Sequence, residues 1–295
     1  MESIINYYYG IVPEKMEKKD NDYLVYSSNS LFLFSEIINN EVEFEQIINL
    51  LNTTDIPYHL VVMTKENKPY VLYDEKKYCL LKVRFDNTKK ISIFSFNNYS
   101  FKGDSNWADV WSKRVDYYES QVMDYVKDIS VKYALQYYIG LAEIGISYAN
   151  NLIDMFSKED IKYTLSHKRI SLPIKGIDYY NPLNIIVDIE VRDIAEYIKY
   201  AYFEDILTEY EILNMIDKIK FNEVLGNYFF LRLLYPSYFF YEYDEYVEKG
   251  EVNNKIFDYM KKSKDYEALL SKIYSRLRTY IDIKINLWFL KSQHL

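Results

Sequence analysis

The period of the hydrophobic pattern changes once along this chain, near residue 86, and that change limits the fold more than any motif does. Before it, β-branched and aromatic runs are cut by polar turns. Within residues 23–38, YLVYS and LFLFSEII flank the turn Ser27 to Ser30; HLVVMT (59–64), YVLYD (70–74) and YCLLKVRF (78–85) are separated by Lys65 to Pro69 and Asp74 to Lys77. This punctuation predicts a hairpin followed by an antiparallel meander. One helix interrupts it. Val42, Phe44, Ile47, Ile48, Leu50 and Leu51 form a stripe over residues 41–53 that stops before Ile56-Pro57, where the residue preceding proline is driven out of helical backbone. The first 86 residues therefore read as α+β, with five strands and one helix.

After a polar stretch at Asn97 to Asp104 the period becomes helical. Ser105 is placed to cap a helix whose face carries Trp107, Val110, Trp111, Val115, Tyr118, Val122 and Tyr125, and a second helix runs over residues 132–156. Residues 163–190 break the helical pattern with short strand-like pieces and with Pro173, Gly176 and Pro182; from Arg192 the pattern is helical to the end. The expected organisation is a small mixed lobe, residues 1–86, and a larger, mostly helical lobe, residues 87–295. No internal repeat or low-complexity linker separates them.

Several classes are excluded early. The 295 residues suffice for a substantial core without staples, and the lone Cys79 rules out a disulfide scaffold. No run of 18 uncharged apolar residues is present, and MESIINYYYG lacks the regions of a secretory signal. A cytoplasmic chain without membrane insertion is the expectation. A formal net charge of −8 gives no basic surface for phosphate contacts, so nucleic acid is not an expected partner. Only 7 glycines occur, and neither GxGxxG nor GxxxxGK[ST] is among them. Tyrosine is abundant, at 34 residues, which predicts many half-wet amphipathic surfaces.

A five-strand, one-helix lobe, a short hinge and a helical lobe with a strand-rich insert follow one another as in a protein-kinase-like fold. Local strings narrow the comparison: WADVWSKRVDYYES (107–120), YYIGLAEIGISYA (137–149), LSHKRIS (165–171), NPLNIIVDIEVRDIAEYIK (181–199) and LRLLYPSYFFYEYDEY (231–246). In this order they resemble the YutH-like branch of the spore coat-associated proteins, a group related to spore coat protein S and to the aminoglycoside phosphotransferases. The resemblance covers roughly residues 25–290 and is most specific in 165–171 and 181–199; the first lobe matches in layout only.

Phosphoryl transfer in this fold uses a third-strand lysine, a catalytic-loop aspartate, an asparagine five residues beyond it and a metal-binding aspartate. The resemblance assigns each a place. The third-strand position falls within Leu31 to Ser35, which holds no lysine, and Lys82 lies two strands later. The His-x-Asp pattern aligns with His167, Lys168 and Arg169, so a guanidinium that cannot accept a proton stands where the carboxylate should be. Five residues beyond Arg169 is Ile174, which cannot ligate magnesium, and only Asp188 matches the metal-binding aspartate. The site thus reads as degenerate. A fixed cation near an orphaned buried carboxylate further predicts that Arg169 pairs with Asp188.

The other chemistry-bearing residues have structural readings. His167 is expected to brace the loop; His59, His294 and Cys79 have no partners at ligand spacing, so no zinc site or thiol nucleophile is proposed. Arg192, Asp193 and Glu196 are expected to brace the segment after Asp188, Trp107 and Trp111 to pack as a pair, and Arg114 and Asp116 to tie their helix to its lobe. Tyr228 to Tyr246 holds 10 Tyr or Phe in 19 residues and reads as core, ending in a solvated acidic face of Glu242, Asp244, Glu245 and Glu248.

The resemblance implies a catalytically degenerate kinase-fold protein serving as a structural or assembly component of the bacterial endospore coat. It would be made in the mother-cell cytoplasm, deposited on the coat and partnered by other coat proteins, with no cofactor and with self-association left open. Exposed tyrosines would offer points for oxidative cross-linking. Two alternatives stand beside this. One is an atypical ATP-dependent phosphotransferase, acting on a small molecule or a protein, that uses Asp188 for the metal and Lys82 or Lys168 for the phosphates. The other is a noncatalytic nucleotide-binding scaffold; Mg-ATP is the cofactor in either.

Overall fold

The computed structural model describes residues 1–19, 22–38, 41–84, 99–124, 126–170, 172, 174–250, 254–281 and 287–290. The chain forms two compact units, residues 1–99 with 167–187 and residues 100–166 with 188–295. The expected boundary at 86/87 lies outside the described residues. That the segment 167–187 belongs with the N-terminal unit is not foreseen by the sequence.

The first unit contains α1 (Glu2–Tyr9), β1 (Lys15–Lys19), β2 (Asp22–Ser27), β3 (Ser30–Glu36), α2 (Glu41–Asn52), β4 (Leu60–Val62), β5 (Val71–Tyr73) and β6 (Lys76–Lys82). Its antiparallel sheet has the order β1-β2-β3-β6-β4, with β5 also pairing β6. Two hairpins turn on residue pairs with positive φ, Ser28-Asn29 and Asp74-Glu75, the geometry that matches the twist of the flanking strands. Six strands and two helices form where five and one were expected. β1, KMEKK, is a charged edge with one apolar residue, and such an edge carries no alternation to read. The helix α1 is short, buries only Ile4 and Ile5, and ends at Gly10 in left-handed backbone.

Those two isoleucines cover one sheet face, packing with Val25, Phe32, Phe34, Val71, Tyr78 and Leu80. Leu33, Cys79 and Leu81 face the other way, onto Ile37 and Phe44. Burial on both faces explains why Phe32-Leu33-Phe34 and Tyr78 to Leu81 read as continuous apolar runs rather than alternating ones.

The rest of the chain supplies α3 (Trp107–Asp124), α4 (Ile129–Met155), β7 (Tyr163–His167), α5 (Gly176–Tyr179), a 3-10 turn (Pro182–Asn184), β8 (Ile185–Ile189), α6 (Arg192–Phe203), α7 (Glu209–Ile216), α8 (Glu223–Leu234), α9 (Ser237–Lys249) and α10 (Asn254–Leu277). β7 and β8 form a two-stranded sheet. Asn106, not Ser105, precedes α3, and its Oδ1 accepts the Asp109 amide at 3.1 Å. Val110 points outward, at 59% exposure, so the buried face of α3 is Trp107, Trp111, Val115 and Tyr118; Val122 and Tyr125 lie outside the described side chains.

The aromatic run is the core of the second unit. Tyr138 stacks on Phe239 at 4.0 Å, Phe203 on Tyr238 at 4.0 Å and Trp111 on Tyr235 at 3.9 Å. Glu242 is buried rather than solvated and lies 3.8 Å from Lys255; Asp244 pairs with Arg114. Among the described residues 13 tyrosines are buried and only Tyr7, Tyr73, Tyr117, Tyr133 and Tyr210 are exposed. The other 15 described tyrosines are half-buried, the positions expected for so many amphipathic rings. Among the described residues no helix is long and apolar enough to cross a membrane.

Candidate functional site

The loop that follows β7 is held by side chains distant in sequence. His167, 1% exposed, places Nε2 2.8 Å from the Tyr179 carbonyl oxygen and stacks on the Tyr179 ring at 4.1 Å. This is the expected brace. The Lys168 amide donates to the Asn184 carbonyl at 2.8 Å and its Nζ to the Leu183 carbonyl at 2.8 Å. Burial lowers the pKa of Lys168, against the opposing pull of Glu43 on α2. Arg169 is exposed. The Asn184 amide grips the Arg169 backbone from both sides, Oδ1 accepting its N–H at 3.2 Å and Nδ2 donating to its carbonyl at 3.0 Å.

Ile174 stands five residues beyond Arg169, as counted, beside a crevice it shares with His167, Arg169 and Asn184. An asparagine does reach the loop, but it is Asn184, fifteen residues on, brought back by the insert that holds α5. Three consecutive carbonyls of that insert each meet a side chain: Ile177 faces His59 Nε2 at 3.1 Å, Asp178 accepts from Asn184 Nδ2 at 3.3 Å and Tyr179 faces His167. His59 Nδ1 accepts the Arg84 amide at 3.3 Å, which places the imidazole proton on Nε2, toward Ile177. Burial pulls the His59 pKa down to about 4, so the ring is neutral.

The third strand is β3, and it holds no lysine. Leu33 lies on the sheet face covered by α2, and Ser35, two residues on, shares that face; its hydroxyl is buried without a hydrogen-bond partner. Lys82 pairs with Phe32, so it shares the opposite face, the one α1 covers, and is exposed. It does not stand in for the missing lysine.

In the second unit Asp188, 3% exposed, has both oxygens engaged. Oδ1 accepts from Trp107 Nε1 at 2.9 Å and from the Ile189 amide at 2.7 Å; Oδ2 accepts from Arg192 Nη1 at 2.6 Å. The cation on Asp188 is thus Arg192, the first residue of α6 across the turn that follows β8, and not the expected Arg169. Burial alone would lower the pKa of Arg192, but Asp188 and the neighbouring acidic groups hold it raised. Magnesium needs carboxylate oxygens that are open to it, and these are filled by donors. Among the described residues no cluster of three His, Cys, Asp or Glu could hold a metal. The arrangement does not fit a magnesium ion.

A charge network continues behind Asp188. The Arg232 guanidinium lies 4.9 Å from the Trp107 ring centre and 5.5 Å from that of Trp111, and its Nε meets Glu196 Oε1 at 2.6 Å. The same oxygen receives Lys199 Nζ at 2.8 Å, while Lys199 also donates to the Tyr235 carbonyl at 3.0 Å and to Ser237 Oγ at 2.6 Å. Burial works to raise the Glu196 pKa, but Lys199, Arg232 and Arg192 hold it down at about 2. Of the residues expected to brace this segment, Arg192 holds Asp188, Glu196 turns instead to Lys199, Arg232 and Ser237, and Asp193 is buried. Arg114 ties α3 to α9 through Asp244 and Tyr118, whereas Asp116 is exposed. Cys79 is buried, its thiol pushed up by burial. His294 lies outside the described residues.

An antiparallel sheet covered by α1 on one face and α2 on the other, followed by a mostly helical part with a strand-bounded loop, defines a kinase-like fold. An aminoglycoside phosphotransferase from Alicyclobacillus acidocaldarius superposes with a TM-score of 0.57 at 10% identity, over 90% of this chain and 93% of that one. The choline kinase LicA of Streptococcus pneumoniae gives 0.52 at 11%, over 92% and 97%; the spectinomycin phosphotransferase APH(9)-Ia gives 0.53 at 12%, over 78% and 84%. At these identities the likeness is one of fold. Residues 2–273 match the family described as "Spore coat putative kinase YutH", and the chain belongs to that family. No curated protein matches the sequence.

Proposed function

We propose that this protein retains the kinase fold without phosphoryl transfer and acts as a structural or assembly component of the endospore coat, with other coat proteins as its partners. One observation carries the loss of catalysis: both Asp188 oxygens are occupied, by Trp107 and the Ile189 amide on one side and by Arg192 on the other. A metal would have to displace a buried guanidinium to bind there. The absence of a carboxylate at Arg169 and of a lysine in β3 supports the same reading, and the Lys168 ammonium is committed to the Leu183 carbonyl. Family membership supports association with the spore coat; synthesis in the mother-cell cytoplasm and deposition on the coat belong to the same proposal. Cross-linking through tyrosine would fall, among the described residues, to the five exposed rings.

The test is a thermal-shift titration with ATP and magnesium. A ligand that binds only the folded state raises the melting temperature by mass action. No shift at millimolar nucleotide is expected; a magnesium-dependent rise would overturn the proposal.

A further inference from the structure

In the second unit the solvent face of α4 repeats at intervals of three and four residues: Ile129, Tyr133, Gln136, Gly140, Glu143 and Ser147 are all exposed. One end of this stripe is apolar. Ile129 is 65% and Tyr133 62% exposed. One turn beyond Tyr133, the Tyr137 hydroxyl and the indole N–H of Trp288, a ring 44% exposed, both donate to Glu267. Rings and an isoleucine left in water along one helix end form a surface of the kind that protein contacts bury.

The other end is acidic. Partial desolvation raises the pKa of Glu143, and the like charges of Glu119 and Asp116 on α3 raise it further. None of these three acids forms an ion pair with a described residue. The cations on the same stretch of α3 are committed elsewhere, Lys113 to Asp109 at 2.8 Å and Arg114 to Asp244. Glu143 is the only charged residue between Lys132 and Asp154, and Lys132 lies about 16 Å back along the helix. Three negative charges therefore meet no cation among the described residues. Between the two ends is Gly140, where a Cβ would meet nothing within 4 Å. Among the described residues no contact requires glycine there, although glycine is a poor helix former. What the missing side chain leaves is room for another backbone to approach α4.

Charge selects the occupant. A second copy of α4 laid on this face offers one basic residue, Lys132, against the three acids. We propose that the α4 face docks a basic amphipathic helix of a partner protein, which crosses at Gly140, sets apolar side chains on Ile129 and Tyr133, and sets lysines or arginines against Asp116, Glu119 and Glu143. The inference gives a surface to the partners proposed above and rests on that reading only for their identity. A magnesium-dependent nucleotide shift would overturn the loss of catalysis and leave this docking face standing.

The probe is a fluorescein-labelled helical peptide of about 18 residues, the span from Ile129 to Ser147, with leucines along one end of a face and lysines along the other. Anisotropy titrations use the full chain at about 0.15 M salt, where long-range attraction to the net-negative protein is screened. The lysine peptide should bind about tenfold tighter than versions with glutamate for lysine or serine for leucine. The triple variant Asp116→Asn, Glu119→Gln, Glu143→Gln should weaken binding about tenfold, the combined effect of three screened pairs. The control Glu45→Gln, Glu159→Gln, Glu248→Gln removes the same charge from exposed positions elsewhere and should leave binding unchanged. Gly140→Gln should lower affinity about tenfold without lowering the melting temperature, because it replaces a poor helix former in open space. Equal losses in the control and the triple variant would reduce the effect to net charge and overturn the proposal. So would no measurable binding, equal binding of the lysine and glutamate peptides, or undiminished binding to Gly140→Gln. Self-association without peptide that Gly140→Gln abolishes would also overturn it, by assigning the face to a second copy of the chain.

Discussion

The indole N–H of Trp107 donates to Asp188 across 81 residues of sequence, at 2.9 Å, in a site where Arg192 already neutralises the carboxylate. A helix at the start of the second unit and the strand that carries the aspartate are thereby fastened by one side chain. In a working phosphotransferase that aspartate is reserved for a metal. Here three protein donors fill its two oxygens, and its removal should be read out in stability.

Asp188→Asn keeps the shape of the side chain and leaves the Arg192 charge buried without its partner. Unfolding in urea should show a loss of about 3–5 kcal/mol, as for other buried pairs broken on one side. Trp107→Phe removes one hydrogen bond and should cost about 1–3 kcal/mol. A neutral Asp188→Asn variant would show that the pair does not hold the loop.

On the proposed reading, placing a carboxylate in the loop at Arg169 should not confer phosphoryl transfer. Arg169→Asp supplies the missing base in an exposed position, but β3 still lacks a lysine and Asp188 keeps its three donors. ATP turnover by this variant, measured with magnesium, should equal the background of the native chain. Turnover above it would mean that Asp188 can exchange Arg192 for a metal.

Asn184→Ala should loosen the loop without disturbing the sheet. The amide side chain binds the Arg169 N–H and carbonyl together. Hydrogen exchange at Arg169 should accelerate while β2 and β3 remain protected. Unchanged exchange at Arg169 would show that the insert is held by the histidines alone.

These positions also mark where sequence reasoning stops. The hairpin at Ser28-Asn29, the stripe of α2 and the aromatic core of α8 and α9 were legible because each is encoded by local period or turn chemistry. β1 and α1 were not, because a lysine-rich edge and a short helix with two buried residues leave no period to detect. Asn184 was missed for a different reason. Counting forward from His167 passes through an insert of unknown length, whereas counting back from Asp188 runs along β8, whose length the strand fixes, and reaches Asn184 directly. The partners of Asp188 were misassigned because charge alone cannot distinguish Arg169 from Arg192. The turn between β8 and α6 does so, since it sets Arg192, the first residue of α6, against Asp188 near the end of the strand. The role of His59 had no local signal, its carbonyl partner being 118 residues away.

His59 gives the insert a pH response of definite sign. Its folded pKa is about 4, against an ordinary value of 6.5, because burial disfavours the imidazolium more than Asp178 favours it. The unfolded chain therefore takes up the proton first as pH falls. Stability should decline between 6.5 and 4 by about 3 kcal/mol from this group, and His59→Gln should flatten that decline. An unaltered slope in His59→Gln would place the titration elsewhere.

The Glu196–Lys199 pair acts in two other windows and in opposite ways. Glu196 is held at about 2, below its ordinary 4.5, so its contribution is complete above 4.5 and disappears as pH falls toward 2. Lys199 is lowered by burial from 10.5 to about 7. Between those values the unfolded chain keeps a proton that the folded one releases, so stability climbs as pH rises through the window. The two groups share one hydrogen bond at 2.8 Å, and the observed steps will belong to the pair rather than to either residue. Denaturant midpoints measured from acid to alkaline pH should show both limbs in the native chain. Lys199→Met should remove the alkaline rise. Glu196→Gln should flatten the acid limb and, by leaving Arg232 and Lys199 buried without their carboxylate, cost about 3–5 kcal/mol at neutral pH. An acid limb that survives Glu196→Gln would show that other carboxylates control it.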